Sequence, residues 1–367
     1  MVKKKIGIVA KKLNHSLSPL IHNYWLEKYK IDGKYEAIQA YDEVDFENIV
    51  DRLIEEEYAG FNVTVPFKEK AYKMVHELVN DRTSICNTNI GSVNTVKIQN
   101  RKLHGYNTDI YGFIAGLGLG SVDFDLDAKV LVLGAGGSSR SVLFGLMTND
   151  IINNEYDEPS FQFLEVLTRK ESTMRAYKLL SDLSKTPSLT SANIPIINEI
   201  DRLDIQSMSF ATERWPEYSK FKSNPLAFAN FDYKVDELTK SNIQNGIENC
   251  DLLINCTPLG MSGADFDLDI SLDGCKDTLV VYDLVYSPLE TPLIKEAKKH
   301  KLKTINGLEM LLYQAAAAFE VFYGAQIPDD WKQEFEAIDL LEDLTTPYLV
   351  NNDLYKIIKK DIQKNND

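Results

Sequence analysis

Short apolar runs alternate with longer segments of helical periodicity through the first part of the chain. The runs at residues 6–9, 35–39 and 60–65 have the length of strands, and residues 19–29 and 46–54 repeat apolar side chains at helical spacing. This alternating order predicts a parallel or mixed α/β sheet. Residues 92–98 and 100–105 follow as two runs joined by a polar turn, which predicts a hairpin that closes this first unit.

A second α/β unit is predicted from residue 129 onward. The apolar run at residues 129–133 leads into Gly134-Ala135-Gly136-Gly137-Ser138 and then into an apolar helix, and further strands are predicted at residues 163–167, 252–255 and 279–283. A strand, a glycine turn and a helix in succession are typical of a dinucleotide-binding turn. Glycine lets a pyrophosphate approach the backbone, and the helix N-terminus supplies free amides. Gly134, Ala135, Gly136, Gly137 and Ser138 are therefore candidate cofactor residues.

The remaining segments are less regular. Residues 184–249 are rich in Ser, Asn, Thr and Pro with scattered apolar side chains, which predicts an enlarged surface connection. A mostly apolar helix is predicted from about Leu308, and an amphipathic helix over residues 331–341. The charged residues 351–367 are expected to fray.

Composition supports two ordinary domains and excludes some partners. With 367 residues, of which 44% are hydrophobic, the chain has enough apolar surface for two cores. Its formal net charge of −15 argues against a nucleic-acid surface and an anionic-membrane surface, since both need clustered Lys and Arg.

No window has the roughly 18 apolar residues of a membrane helix and no leader pattern follows the basic start, so a cytosolic protein is expected. A monomer and a homodimer both stay open.

The residues after the strand at 163–167 bear on the choice of cofactor. Folds that bind NAD usually carry an acidic residue there for the ribose diol, whereas this chain has Thr168-Arg169-Lys170. An arginine at this place favours the 2′-phosphate of NADP. The alternative is a solvated basic pair at a strand end. Arg169 and Lys170 therefore predict NADP, with NAD still possible.

Two candidate acid-base residues stand near strand ends in the first unit. Lys68 follows the strand and proline of Asn62-Val63-Thr64-Val65-Pro66-Phe67, and Asp109 follows Gly105-Tyr106-Asn107-Thr108. Taken singly, Lys68 is typical of a surface residue at a helix start. Asp109 is typical of a helix cap, because Asp readily accepts hydrogen bonds from N-terminal amides.

Motifs over nearly the whole chain resemble the shikimate dehydrogenase family, which includes quinate/shikimate dehydrogenases. In family order they are His15-Ser16-Leu17-Ser18-Pro19, Asn62-Val63-Thr64-Val65-Pro66-Phe67-Lys68, Ser92-Val93-Asn94-Thr95, Asn107-Thr108-Asp109, Gly134-Ala135-Gly136-Gly137, Tyr282-Asp283-Leu284-Val285-Tyr286, Asn306-Gly307-Leu308 and Gln314-Ala315-Ala316. The resemblance departs from the family pattern in two places. The family usually has Asn-Arg-Thr or Asn-Arg-Ser where this chain has Thr168-Arg169-Lys170, and residues 169–255 are longer than typical members need.

The resemblance implies an α/β fold of two domains. Residues 1–112 would form a substrate-binding catalytic domain, completed by C-terminal helices that return to it over about residues 306–367. Residues 113–305 would form a Rossmann-like NADP-binding domain with a long insertion at about residues 184–249.

The resemblance also implies roles for individual residues, without a metal. The substrate carboxylate would be held by Ser16, Ser18 and Tyr286. The ring hydroxyls would be bound by Thr64, Asn94, Asp109 and Gln314. Leu284 and Gly307 would add to the cofactor site. Lys68 and Asp109 would serve the reacting oxygen while a hydride passes between NADP(H) and the ring. An ordinary lysine is a poor base at neutral pH, so we expect Lys68 to donate and accept the proton with Asp109 orienting it.

Three functions stay open on the sequence. The leading one is an NADP-dependent shikimate dehydrogenase that interconverts 3-dehydroshikimate and shikimate. A quinate/shikimate dehydrogenase that uses NAD or NADP is the nearest alternative, because shikimate and quinate differ by a water. A non-catalytic regulator that binds shikimate or quinate is the alternative of another class. Intact Lys68 and Asp109 favour an enzyme.

Overall fold

The computed structural model describes residues 4–13, 16–79, 90–119, 128–147, 161–184, 232–261, 270–323 and 352–366. The chain divides into two compact units. The first contains Met1–Gly112 and Leu312–Asn365, and the second contains Phe113–Leu311 and Asn366–Asp367.

The first unit contains a mixed six-stranded sheet in the order β2-β1-β3-β5-β6-β4. Its strands are β1 (Lys4–Ala10), β2 (Gly33–Gln39), β3 (Gly60–Val63), β4 (Glu77–Leu78), β5 (Thr95–Gln99) and β6 (Lys102–Tyr106). Strand β1 is parallel to β2 and β3, while β5 is antiparallel to β3 and β6. The β5–β6 hairpin turns at Asn100 and Arg101 with φ of 52° and 61°, as a two-residue turn between twisted strands requires. The expected hairpin is confirmed.

Three helices lie between these strands in the chain, and a fourth follows β6. They are α1 (Ser18–Lys28), α2 (Glu43–Glu55), α3 (Lys68–Met74) and α4 (Thr108–Leu119). Helix α2 begins at an Asp42 side chain that accepts the Asp45 amide, and it buries Phe46, Ile49, Val50 and Leu53, which recur at helical spacing. These side chains share a hydrophobic core with Phe61 and Phe67. That core supports the segment between β3 and α3, which leads directly into Lys68.

The second unit contains a parallel six-stranded sheet in the order β12-β11-β10-β7-β8-β9. Its strands are β7 (Ala128–Leu133), β8 (Phe161–Thr168), β9 (Asp232–Glu237), β10 (Leu252–Asn255), β11 (Val280–Asp283) and β12 (Lys303–Asn306). The strand order reverses between β7 and β10. In open α/β sheets, ligands bind beyond the carboxyl ends of the strands at such a switch point.

The helices of the later part of the chain are α5 (Gly137–Met147), α6 (Thr173–Ser184), α7 (Lys240–Ile247), α8 (Pro292–Lys299), α9 (Gly307–Tyr323) and α10 (Asn352–Asn366). The division between the two units falls inside α4 and α9. The predicted two-domain α/β class, with a Rossmann-like second sheet, is confirmed.

Two expectations were wrong in part. Residues 351–367 were expected to fray, but α10 buries Leu354, Ile358 and Ile362 at intervals of four residues, so its charges lie around an apolar stripe. Residues 184–249 were expected to be a surface connection, but β9 pairs along β8 and α7 follows it. Residues 185–231 and the helix expected over residues 331–341 lie outside the described residues.

Candidate active site

Lys68 and Asp109 form a buried ion pair in the first unit. Lys68 Nζ lies 2.5 Å from Asp109 Oδ2, and the two side chains are 8% and 7% exposed. Lys68 opens α3 and Asp109 lies in the first turn of α4, where the helix dipole favours a carboxylate. An ammonium has three donors, so Lys68 can bond a ligand oxygen while it remains paired with Asp109.

Asn94 holds the other side of the Asp109 carboxylate. Its Nδ2 donates to Asp109 Oδ1 and to Thr108 Oγ1, each at 2.9 Å, and approaches Gln314 Oε1 at 3.4 Å. Its Oδ1 accepts the Thr108 backbone amide at 2.8 Å. The structure therefore brings together Lys68, Asn94, Asp109 and Gln314, which lie far apart in the sequence.

Ser16 and Ser18, predicted to bind the substrate carboxylate, lie in the first unit. Thr64, predicted to bind a ring hydroxyl, lies in the same unit. Ser18 begins α1 and is buried. Ser16 is half-buried and donates its backbone amide to Leu13 O. Thr64 is half-buried and its amide donates to Val9 O, so it continues the β1–β3 pairing past the end of β3. Tyr286 lies in the second unit after β11 and is half-buried.

The glycine turn has the predicted form. Gly134 has a φ of +104°, a conformation that side-chain-bearing residues rarely adopt, and its amide donates to Leu167 O. Gly136 is exposed, and a Cβ built on it would meet no atom within 4 Å. Its amide donates to Ser139 Oγ, and α5 starts at Gly137. Ala135 is buried and Ser138 is half-buried. Backbone at Gly136 is thus open to a ligand at a helix N-terminus.

The basic residues expected at the cofactor follow β8. Arg169 is 77% exposed and lies 3.5 Å from Glu171, measured between Nε and Oε1. Lys170 is also exposed and begins a short 3-10 helix, Lys170–Ser172. Leu284 follows β11, and a Cβ on Gly307 would overlap the backbone carbonyl of Leu284. Gly307 is therefore required by close backbone approach beside the carboxyl ends of β11 and β12.

A buried polar cluster at the ends of β10 and β11 was not predicted. Asp283 is fully buried and accepts hydrogen bonds from Asn255 Nδ2 at 2.9 Å and from Thr291 Oγ1 at 2.6 Å. Asn255 Oδ1 in turn accepts the Thr257 hydroxyl at 2.6 Å. Burial raises the pKa of Asp283. The cluster fixes the loop after β10, whose Thr257 would contact a Cβ on Gly134. The polar residues at the ends of the two buried strands were the available signal.

No metal cluster and no membrane span is found in the described ranges. None of their groups of His, Cys, Asp and Glu could hold a metal ion, and none of their helices is long and apolar enough to cross a bilayer.

Comparison with known proteins agrees with this geometry. A model of the shikimate dehydrogenase substrate binding domain matches residues 8–96. The shikimate dehydrogenase (NADP(+)) of Brucella abortus strain S19 is 32% identical over 325 residues, which cover 88% of this chain and 89% of that protein. The chain belongs to the shikimate dehydrogenase family. Another member, the shikimate dehydrogenase (NADP(+)) of Methanococcus maripaludis strain S2, is 31% identical over 327 residues, which cover 89% of this chain and 94% of that protein.

The fold of the shikimate dehydrogenase family is also found among solved structures. A crystal structure of a shikimate dehydrogenase in complex with NADP+ matches with a TM-score of 0.63 and 27% identity, covering 90% of this chain and 94% of that one.

Proposed function

We propose that this protein is an NADP-dependent shikimate dehydrogenase that reversibly reduces 3-dehydroshikimate to shikimate. The buried Lys68–Asp109 pair, with Asn94 and Gln314 beside it, carries the proposal. The relatives named shikimate dehydrogenase (NADP(+)) support both the substrate and the cofactor.

The first unit is the proposed substrate-binding domain and the second the proposed cofactor domain. A polyhydroxylated ring needs several directional partners, and a buried polar site rejects analogues that leave its groups unpaired. Lys68, Asn94, Asp109, Gln314 and Thr64 supply such partners for the hydroxyls. Ser16 and Ser18, with Tyr286, are the proposed partners of the carboxylate.

The second unit fits NADP by its own geometry. The open space over Gly136 admits a pyrophosphate against the backbone, and the N-terminus of α5 favours negative charge. Arg169 is exposed at the end of β8, where a 2′-phosphate is read. Ala135, Gly137, Ser138, Lys170, Leu284 and Gly307 complete the proposed cofactor set. The bound nicotinamide supplies the hydride chemistry.

Lys68 is the proposed proton carrier at the substrate oxygen. In the reduction it donates a proton to the oxygen that gains negative charge, and in the oxidation it accepts that proton back. Asp109 keeps the Lys68 ammonium in place through the 2.5 Å contact, and Asn94 keeps Asp109 in place. Burial of the pair strengthens these interactions, because the surroundings screen charge less than water does.

We propose that the acidic chain acts in the cytosol on a small-molecule substrate, as a monomer or a homodimer.

Absorbance of the reduced cofactor tests the function. The purified chain is mixed with shikimate or quinate, each paired with NADP+ or NAD+. We expect the largest kcat/KM for shikimate with NADP+. A preference for quinate or for NAD+ would support the quinate/shikimate dehydrogenase alternative. Binding of shikimate without turnover of any pair, in a folded preparation, would identify a non-catalytic regulator instead.

A further inference from the structure

One buried carboxylate closes the loop of residues 284–291, which joins β11 to α8. Asp283, the last residue of β11, accepts the Val285 backbone amide on Oδ1 at 3.1 Å. Its Oδ2 accepts the hydroxyl of Thr291, the last residue before α8, at 2.6 Å. The two ends of the loop are therefore bonded to the same side chain. Tyr286, a proposed partner of the substrate carboxylate, lies within this loop.

Val285 directly precedes Tyr286 and is held on both sides. Its amide donates to Asp283, and its carbonyl accepts the Gly307 amide at 3.3 Å. The bond from Gly307 joins two backbone groups, whereas the bond to Asp283 depends on a side chain. The Asp283 carboxylate thus contributes directly to the position of the backbone that carries Tyr286.

Asn255 supports Asp283 from the end of β10, and backbone groups fix its orientation. The Thr257 backbone amide can only donate, and it lies 3.0 Å from Asn255 Oδ1. Asn255 Nδ2 therefore faces Asp283 Oδ1 at 2.9 Å and Leu259 O at 3.2 Å. Asp283 accordingly accepts two N–H donors on one oxygen and one hydroxyl on the other.

These three donors require a carboxylate at position 283. The Val285 amide needs an acceptor, so an asparagine there would have to turn its own amide nitrogen toward Thr291 Oγ1. Thr291 already accepts the Ile294 amide at 3.2 Å as the N-cap of α8. Its hydroxyl proton would then lose its acceptor in a buried position. Asp283→Asn therefore removes the bond at the far end of the loop with almost no change of shape.

We propose that Asp283 is a positioning residue that closes the loop of residues 284–291 and so holds Tyr286 ready to bind the substrate carboxylate. This inference rests on the proposed role of Tyr286 in the shikimate dehydrogenase reaction. When the loop is not closed at Thr291, Tyr286 samples more positions in the free protein. Ordering it again on binding costs free energy, which weakens substrate binding.

The test compares Asp283→Asn with Asp251→Asn in shikimate oxidation. Both change a carboxylate to an amide in the second unit, but Asp251 stands before β10, at the opposite end of the strand, where it accepts the Lys129 amide and pairs with Lys276. We expect Asp283→Asn to raise KM for shikimate about ten-fold, because the site is no longer preorganised. Its kcat should stay within about two-fold of the wild-type value, because the carboxylate is held similarly in ground and transition states. Asp251→Asn should keep the wild-type constants.

Cofactor binding should change less than substrate binding. The Leu284 amide donates to the Asn255 carbonyl at 3.0 Å, and this backbone bond does not depend on the side chain at position 283. We therefore expect Asp283→Asn to change KM for NADP+ by less than about two-fold. Equal rises in KM for shikimate and for NADP+, with a lower Tm, would show that the substitution loosens the whole unit and would overturn the inference.

A double-mutant cycle with Tyr286→Phe shows whether Asp283 acts through Tyr286. Tyr286→Phe removes the hydroxyl that is proposed to bind the carboxylate and leaves the bonds of Asp283 intact. Asp283→Asn should then raise KM for shikimate less in the Tyr286→Phe background than in the wild type. Fold-changes that multiply independently would mean that Asp283 does not act through Tyr286.

Thr291 provides a second route if Asp283→Asn does not fold. Thr291→Val removes the hydroxyl, whereas Thr291→Ser retains it. Thr239→Val is the control for the loss of a helix cap, because Thr239 caps α7 by accepting the Asn242 amide at 3.2 Å. We expect Thr291→Val to raise KM for shikimate about ten-fold, and Thr291→Ser and Thr239→Val to keep it within about two-fold of the wild-type value.

The proposed function and this inference fail differently. In an active wild type, an equal KM for shikimate in Asp283→Asn and Asp251→Asn, or in Thr291→Val and Thr291→Ser, contradicts the inference alone. An inactive wild type would remove the proposed function, and this inference with it.

Discussion

The two units carry their candidate sites in opposite ways. In the first, Lys68 of α3 and Asn94 of the loop before β5 bond the Asp109 carboxylate of α4, and Gln314 of α9 approaches Asn94. In the second, the proposed cofactor turn is mostly backbone, a few consecutive residues between β7 and α5. A side-chain site is sensitive to the loss of atoms, whereas a backbone site is sensitive to their addition. Substitutions that delete groups in one unit and add them in the other test this contrast.

The largest expected effect is at Lys68. Lys68→Ala should lower kcat about 100-fold to 10,000-fold, the usual range for a positioned acid-base group, while the Kd for shikimate changes much less. Steady-state rates and calorimetric titration measure the two quantities.

Lys70→Ala is the matched control for this substitution. Lys70 lies in the same helix and pairs with Glu43 and Glu47 on α2, so its loss removes a lysine of α3 without touching the site. Its kcat should stay close to that of the wild type. If Lys68→Ala raised KM and left kcat unchanged, Lys68 would only bind the ring and another group would have to move the proton.

Charge reversal at Arg169 should have the next largest effect. Arg169→Asp removes a charge-assisted hydrogen bond to the 2′-phosphate and adds repulsion, a loss of roughly 1.5 to 3 kcal/mol in NADP+ affinity. The measurement is KM for NADP+ and KM for NAD+, and we expect KM for NAD+ to rise far less. Lys178→Asp is the control, because Lys178 is exposed on α6 and gives the same change of charge. Equal losses for both cofactors would show that Arg169 does not recognise the phosphate.

The smallest effects should come from adding one methyl group to a glycine. Gly136→Ala meets no protein atom within 4 Å, so Tm should not change, but KM for NADP+ should rise by about five-fold if the pyrophosphate contacts this backbone. Gly307→Ala should lower Tm instead, because its Cβ would overlap the Leu284 carbonyl. A Gly136→Ala protein with unchanged cofactor affinity would place the pyrophosphate elsewhere.

This contrast explains what could be predicted from the sequence. The glycine turn is contiguous and follows an apolar strand, so it was predicted from residues 129–138 alone. The pair of Lys68 and Asp109 was suggested by family motifs and not by spacing. The buried hydrogen bonds that Asn62 makes with Tyr35 and Thr95 were not predicted. They depend on the strand order β2-β1-β3-β5, which the sequence pattern does not determine.

Two polar elements escaped prediction for a related reason. Strand β9 lies at the edge of its sheet, and Val235 is its one buried residue. Because its other residues are mostly charged, no apolar run indicates a strand there. In α10 three buried apolar residues are separated by charges, which dominate the composition of the segment. Burial in both depends on a partner that composition alone does not reveal.

A crystal structure with shikimate and NADP+ bound is the most direct test of this division of roles. The account predicts a shikimate ring hydroxyl within about 2.5 to 3.2 Å of Lys68 Nζ and of the Asp109 carboxylate, with the cofactor 2′-phosphate beside Arg169. Shikimate bound away from Lys68 and Asp109, or a 2′-phosphate held by other residues, would contradict it.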